Sequence, residues 1–376
     1  MKSPKSVLCL ILSAGWLFPG QAARAQESTS IFQKVPSPNT FRHGDNNLYA
    51  VAASAPDDVW AVGLSAIHYD GTSWTAFSVP GETGEFGNQM TAVADLSPTD
   101  AWATGPQGRI LHWDGTSWSL NATPQGPYSL YGAVAAISAN DIWAGLCVEP
   151  GFEHYDGTQW SYVAGAGASG VETCIEGISA LASNDVWAVG YNQDGDDVDT
   201  TLIQHWDGTA WTAVASPNLG KGSNQLYGVV ALADDDVWAA GSASEGANTL
   251  DDTKTLIEHW DGTSWSVVPS PSRKLSGSSS VLQGVVAVSA NDIWAFGWED
   301  TEQDQADGIN TLLLHWDGTS WSLAPCPNPH PDPNLIVNQL MGGVMTAPGT
   351  IWLVGFQEQR QVAEGEGTLV LYTAGG

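Results

Sequence analysis

Basic residues are scarce in this chain. Eleven Lys and Arg stand against 41 Asp and Glu, for a formal charge of −30 over 376 residues. A nucleic-acid or anionic-membrane partner needs a basic patch, so both classes are disfavoured. A solvated acidic exterior is the plain reading, with cationic partners or metal ions as the functional one. Beyond the N-terminus no apolar run is long enough to cross a bilayer as a helix. No Ser-His-Asp set, Cys-His pair or phosphate-binding loop is recognisable, so the sequence leans away from an enzyme.

The N-terminus departs from the rest. Lys2 and Lys5 form a basic start, Val7 to Phe18 is mostly apolar, and Ala23-Arg24-Ala25 fits a small-x-small cleavage site. Residues 1–25 read as a secretory signal peptide cut before Gln26, which leaves residues 26–376 as a single domain. The expected location is secreted, periplasmic or extracellular. No cysteine stands at the cleavage point, which argues against a lipoprotein anchor. Cleavage would remove three basic residues and leave a still more acidic chain, expected to be a monomer.

What the chain has in abundance is repetition. Asp185-Val-Trp-Ala-Val-Gly190 is followed about 15 residues later by His205-Trp-Asp-Gly-Thr-Ala-Trp211. The first phrase has seven copies, with Trp60, Trp102, Trp143, Trp187, Trp238, Trp294 and Trp352 spaced by 42, 41, 44, 51, 56 and 58. The second appears six times, at His68, His112, His154, His205, His259 and His315. A period above 40 residues with short strands points to an all-β propeller of seven blades. Each repeat reads as four strands. In the fifth copy Gln225–Ala233 suits the innermost strand, Val237–Ala243 the second and Thr255–Trp260 the third. The Asp261-Gly262 hairpin leads to a fourth strand at Trp265–Pro269.

The ends explain the missing seventh copy of the second phrase. Ile31–Asn39 matches a fourth-strand exit, and the last blade lacks its fourth strand, so the N-terminal segment is expected to complete that blade and close the ring. The short turns fall at one end of the blades. The insertions Tyr191–Thr200, Ser242–Lys254, Trp298–Asn310, Phe356–Gly367, Ser270–Ser280 and Pro327–Asn338 fall at the other. In repeat folds the irregular face is the usual binding face. The repeats also bring Cys147 and Cys174 to the same end of one blade, which predicts a disulfide; Cys326 is left over, at a position where other repeats have Ser.

With the phrases laid out, the chain resembles a group of bacterial secreted β-propellers that carry Asp-Val-Trp-Ala-Val-Gly and His-Trp-Asp-Gly-Thr-Ser-Trp repeats. That resemblance covers nearly all of residues 26–376 and implies the fold without an activity. The Trp-Asp-Gly-x-x-Trp turn is also similar to that of bacterial propeller lectins, which would imply sugar binding between blades. The Asp-Gly turn is similar in composition to the Asp-box of sialidases. It lacks the residue between Asp and Gly, however, and Arg42, Arg109, Arg273 and Arg360 stand at unrelated repeat positions. Trp-Asp at the end of the third strand resembles WD40 repeats, without their Gly-His.

The recurring histidines cannot converge on a metal. Third strands lie two strand spacings from the innermost, so equivalent positions in neighbouring blades stand on the order of 15 Å apart, against zinc bonds of roughly 2.1 Å. Each His is expected to be hydrogen-bonded beside its Trp, and each turn Asp, such as Asp114 or Asp317, to accept backbone N–H bonds. Asp194, Asp196 and Asp199 form an acidic loop that could hold calcium, the one cofactor considered; Asp300, Glu302, Asp304 and Asp307 are a weaker second cluster. The main site candidate is a column in the innermost strands: Tyr49, Thr91, Tyr131, Glu176, Tyr227, Gln283 and Met341. Asn47, Gln89, Gln225 and Gln339 precede it. A mouth lined by Tyr, Gln, Asn and one Glu suits a glycan, through ring stacking and amide hydrogen bonds. The expected function is therefore a secreted binding module, most simply for carbohydrate. The alternatives are a protein-interaction or adhesion scaffold for an extracellular protein and, third, a glycan-acting hydrolase or lyase with Glu176, a second acid such as Glu153 being required.

Overall fold

One hairpin recurs throughout the molecule and sets its scale. In Trp260-Asp-Gly-Thr-Ser-Trp265, Asp261 Oδ1 accepts the N–H groups of Thr263 and Ser264 at 2.9 Å and the Thr263 hydroxyl at 2.6 Å. Gly262 takes φ +88°, and a Cβ there would come within 2.8 Å of Asp235 Cβ, so the turn needs glycine twice over. Trp260 is thereby placed directly opposite Trp265. The same carboxylate-to-backbone bonds form at Asp70, Asp114, Asp156, Asp207 and Asp317. The Thr hydroxyl bond first, and then these backbone bonds, hold the carboxyls of Asp70, Asp156, Asp207, Asp261 and Asp317 down at about 2.

The computed structural model describes residues 30–40, 45–80, 89–126, 129–147, 151–166, 172–193, 198–244, 253–272, 278–300, 308–327, 335–359 and 367–373. The proposed signal peptide lies outside them. The chain forms successive four-stranded antiparallel meanders, with no α-helix among the described residues. The first is Leu48–Ala55, Asp58–Gly63, Ala66–Tyr69 and Trp74–Phe77; the second is Ala92–Ser97, Asp100–Gly105, Arg109–Trp113 and Trp118–Asn121. The third is Leu130–Ser138, Asp141–Cys147, Gly151–Tyr155 and Trp160–Ala164; the fourth is Glu172–Ala182, Asp185–Gln193, Asp199–Trp206 and Trp211–Ala213. The fifth is Asn224–Ala233, Asp236–Ser244, Thr253–Trp260 and Trp265–Val267; the sixth is Ser280–Ser289, Asp292–Asp300, Ile309–Trp316 and Trp321–Leu323. The last has Leu335–Ala347, Thr350–Gln359 and Gly367–Tyr372, and on its outer edge Gln33 and Lys34 pair antiparallel with Tyr372 and Leu371.

Each first strand packs against the first strand of the next meander, and Leu335–Ala347 returns against Leu48–Ala55, so the first strands surround an axis. The second strands are sandwiched on both faces; every residue of Asp58–Gly63 is buried. Aromatic rings fill the wedge between meanders. Trp187 meets Trp260 and Trp265 of the next meander at 5.3 and 5.5 Å, and Trp143 meets Trp206 and Trp211 at 4.9 and 5.3 Å. Most tryptophans are thus spent on packing, where large rings bury the most apolar area.

The segments read from sequence as insertions are partly strand. Tyr191–Gln193 pairs residue by residue with Asp199–Thr201, and the fifth and sixth meanders extend the same way, to Ser244 opposite Thr253 and Asp300 opposite Ile309. Longer second and third strands carry the hairpin beyond the common length, and only its tip remains to be spanned; the tips at residues 194–197, 245–252 and 301–307 are outside the described residues.

Candidate functional site

The first strands share a defect at the end where the long hairpins lie. Pairing with the second strand skips Tyr49, Glu176, Tyr227, Gln283 and Met341. A residue left out of a ladder in this way bends the strand and re-aims its side chain. The cause stands opposite, at the Gly that ends each Asp-Val-Trp-Ala-Val-Gly phrase. A Cβ on Gly63, Gly190, Gly241, Gly297 or Gly355 would come within 1.8–2.0 Å of the carbonyl oxygen of Asn47, Cys174, Gln225, Val281 or Gln339. In these five blades glycine lets the first strand fold in this close and the bulge accompanies it, whereas the third blade bulges at Gly132 with Leu146 at the end of its phrase.

The bulged side chains border one axial cavity of about 530 Å³, together with Thr91, Gln89, Glu172, Tyr191 and the cysteines Cys147 and Cys174. Tyr49, Glu176, Tyr227, Gln283 and Met341 are each half-buried there. Tyr131 also borders the cavity, but it is not a residue skipped by the ladder. It pairs opposite Leu146, is fully buried, and packs with Trp102, Ile110 and Trp160 between the second and third meanders. Its hydroxyl turns to Thr123 and Glu153, and burial pushes its phenol upward. The skipped residue of that strand is Gly132. The signal was countable. Tyr49, Thr91, Glu176, Tyr227 and Gln283 all stand nine residues before the Asp that heads the next strand; Gly132 does so before Asp141, and Tyr131 stands ten before. Leu130-Tyr131-Gly132 matches Leu226-Tyr227-Gly228 in residue type but is one step out of register.

Glu176 is the deep carboxylate of the cavity. Its Oε1 lies 3.1 Å from Cys174 Sγ, and burial pushes its carboxyl up to about 7. A Cβ on Gly132 would stand 3.2 Å from Glu176 Oε2 and 3.3 Å from Cys147 Sγ, so the missing side chain in the third meander makes room for both. Cys147 and Cys174 are joined in a disulfide. It ties the second strand of the third meander to the first strand of the fourth, where the two residues are also paired backbone to backbone. It therefore bridges neighbouring meanders rather than one end of a single blade, because the axial end of a second strand abuts the next first strand. Cys326 is free and packs against the core of the last two meanders; burial pushes its thiol up to about 12.

The acidic candidates divide. Asp194 and Asp196 lie outside the described residues. Asp199 is 6% exposed; its N–H donates to Ser223 Oγ at 3.1 Å and its Oδ2 accepts from Gln225 Nε2 at 2.6 Å. Tyr227 donates to Gln225 Oε1, so a chain of hydrogen bonds runs from the long hairpin down to the cavity wall. Tyr191, raised to about 12 by burial and by the carboxylates of Glu176, Asp199 and Glu172, is a wall residue that the sequence did not single out. Glu153 is fully buried and accepts the Gln125 N–H at 3.0 Å, between meanders and off the cavity. The recurring His residues each reach an Asp, His205 Nε2 to Asp185 Oδ1 at 2.7 Å and His259 to Asp236 at 2.9 Å, with the ring set against the phrase Trp. Among the described residues the one cluster of three metal-ligand side chains is Cys147, Cys174 and Glu176, with its cysteines spent in the disulfide.

Solved structures share this architecture. YCF48 bound to D1 peptide superposes with TM-score 0.59 at 15% identity over 92% of this chain and 98% of that one. The chain is a β-propeller. A catalytically inactive virginiamycin B lyase from Staphylococcus aureus with quinupristin matches at TM-score 0.61 and 13% identity, over 91% and 99% of the chains. The WD40 β-propeller domain of Doa1 gives 0.55 and 11%, over 92% and 97%. No family model matches, and no curated protein matches. At these identities the likeness concerns the propeller fold alone. No helix among the described residues is long and apolar enough to cross a membrane.

Proposed function

We propose that this is an exported seven-bladed propeller that binds a peptide or protein segment at the long-hairpin end of its axis. The ring is closed by the N-terminal strand: Gln33–Lys34 supplies the outer strand of the last blade, Phe32 packs against Trp294 at 5.5 Å, and Asn39 Oδ1 accepts the Thr368 N–H at 3.0 Å. The observation that carries the function is the axial cavity. Around it the repeat abandons its pattern, with Tyr49, Thr91, Gly132, Glu176, Tyr227, Gln283 and Met341 at one structural position. That position's neighbours are mostly apolar before it and a small Ala or Gly after it, from Leu48 and Ala50 to Leu340 and Gly342. A ring that keeps its scaffold constant and varies only its axial residues concentrates specificity there.

The peptide reading replaces the glycan expectation. One propeller of the same architecture is described with a peptide bound, another as a WD40 domain, and none of the relatives compared favours a sugar. The test is a pair of arrays, one of glycans and one of random-sequence peptides, probed with residues 26–376 and with Tyr227→Ala. Saturable peptide binding weakened by the substitution is expected. Glycan binding with a silent peptide array would overturn the proposal.

A further inference from the structure

The cavity has a charge as well as a shape. Among its described lining residues the charged groups are Glu172 and Glu176, with no Lys, Arg or His. Glu172 is exposed at the rim and Glu176 sits deep. The deep carboxylate has no donor of its own. Its Oε1 faces Cys174 Sγ at 3.1 Å, and a disulfide sulfur carries no proton. No N–H or O–H among the described residues is recorded against it, and burial alone accounts for its raised carboxyl. The half-buried carboxylate has lost part of its hydration, so a donor or a cation is favoured there. Tyr191 and Tyr227 stand close enough to feel its charge, and Tyr49 borders the same space. Aromatic rings around a carboxylate are the surroundings that favour an organic cation. A bare hard metal ion wants six or more oxygen ligands, which two separated carboxylates and a few hydroxyls do not offer.

We infer that the axial cavity receives an ammonium or guanidinium group on an aliphatic stem, with Glu176 as its counter-ion, Glu172 at the entrance and the Tyr rings along the stem. This rests on the peptide reading above and names what the peptide brings, a Lys or Arg side chain. Gly132 is required first by the Ile175 carbonyl oxygen, which a Cβ would meet at 2.3 Å, and it also leaves the space beside Glu176 Oε2 open. The acidity of the whole molecule adds long-range attraction for such a partner.

The groups that interact with Glu176 are Tyr191 on the neighbouring strand, Tyr227 on the next blade and the disulfide; Asp199 acts on both tyrosines and Glu172 on Tyr191. All are acids or inert, so a docked cation favours the ionised form of Glu176. Binding then releases a proton and tightens as pH rises through about 7.

The experiment uses residues 26–376 with the disulfide intact and four probes in isothermal titration at pH 6 and pH 8. They are the pentapeptide Ala-Ala-Lys-Ala-Ala, its Arg counterpart, its Nζ-acetyl-lysine counterpart, and n-butylammonium. Lys and Arg peptides are expected to bind and the acetylated one at least tenfold more weakly. Affinity for the Lys peptide should be several-fold higher at pH 8 than at pH 6. Glu176→Gln should lose tenfold or more and flatten the pH response, with Glu172→Gln losing only a few-fold; a thermal melt confirms that both are folded. Equal binding of the Lys and acetyl-lysine peptides overturns the inference and leaves the peptide reading standing. Binding of n-butylammonium with none of the peptides keeps the cation chemistry and removes the peptide reading. Silence of all four probes overturns the inference, and the peptide array then decides the reading beneath it.

Discussion

Glu258 offers a sharp test of how the blades pack. It lies on the third strand of the fifth meander, between Ala239 and Val267, on the face that Leu256 and Ala239 turn toward Trp187, Val189 and Ile203 of the fourth. It is fully buried, and neither carboxyl oxygen has a partner among the described residues. The same repeat position holds Glu153, which accepts the Gln125 N–H at 3.0 Å, and Gln204, which accepts the Ala166 N–H at 2.5 Å. Burial pushes Glu258 from the ordinary 4.5 up to about 8. The folded state therefore holds a proton that the unfolded chain releases above 4.5. Stability contributed by this group is present below 4.5, falls as pH rises from 4.5 to 8, and is fully lost above 8. At about 1.4 kcal/mol per unit the ceiling is about 5 kcal/mol, and relaxation around the charge brings the expected loss to about 2–4 kcal/mol. Three other blades hold Ile67, Leu111 and Leu314 at this position, so Glu258→Leu has a precedent in the same ring. Urea unfolding at pH 5 and pH 8.5, at matched ionic strength, should show Glu258→Leu gaining stability at pH 8.5 and losing about 2–4 kcal/mol of the wild-type difference between the two pH values. If that difference is unchanged within about 0.5 kcal/mol, Glu258 is solvated or paired and the packing argument fails.

Three further outcomes are expected. Gly241→Ala places a Cβ 1.9 Å from Gln225 O and should cost more than about 3 kcal/mol in a thermal or denaturant melt; a mild effect would mean that the bulge is not forced by the glycine. Phe32→Ala empties a ring that is 2% exposed against Trp294 and should cost about 3–5 kcal/mol, whereas a neutral result would show that the N-terminal strand does not close the ring. Cys147→Ser with Cys174→Ser removes a cross-link spanning 27 residues and should lower stability by about 2–4 kcal/mol, read by urea unfolding against the oxidised and reduced parent.

The architecture was legible because the repeat writes it several times over. Trp spacing gives the period, and Asp-Gly between paired Trp residues gives the hairpin, since both depend on local geometry that any copy must satisfy. The axial column was legible for the same reason, as a fixed count back from the strand-leading Asp. In the third blade residue likeness points to Tyr131 and the count to Gly132; both border the cavity, and Gly132 is the one that leaves the ladder while the Tyr131 ring packs in the core. The disulfide partners could be paired from the repeats, but which blades they join depends on how the end of one sheet abuts the next, and that is tertiary. Tyr191 was passed over because its segment read as an insertion; strand pairing through Gln193 opposite Asp199 is what turns it to the cavity wall. Glu258 did leave a trace, as one of three polar residues in a column otherwise apolar, though its lack of a donor is a matter of tertiary packing.

These particulars share one cause. Closing a ring of sheets brings the first strands together at the axis, and in five blades the Gly ending the second-strand phrase lets the first strand fold inward until one residue leaves the ladder. That residue is released from pairing, so its identity is free to vary without harm to the fold, and it is delivered to a common cavity with its counterparts. Scaffold and site thus come from the same local event. The six repeated His–Asp contacts, the Asp turns and the Trp wedges all lie outside that event, and they remain constant from blade to blade. Gly132 and Glu176 lie within it, side by side. A Cβ on Gly132 would stand 2.3 Å from the Ile175 carbonyl oxygen, so the close approach of the two first strands requires the glycine, and the opening it leaves lies beside the half-buried Glu176 carboxylate.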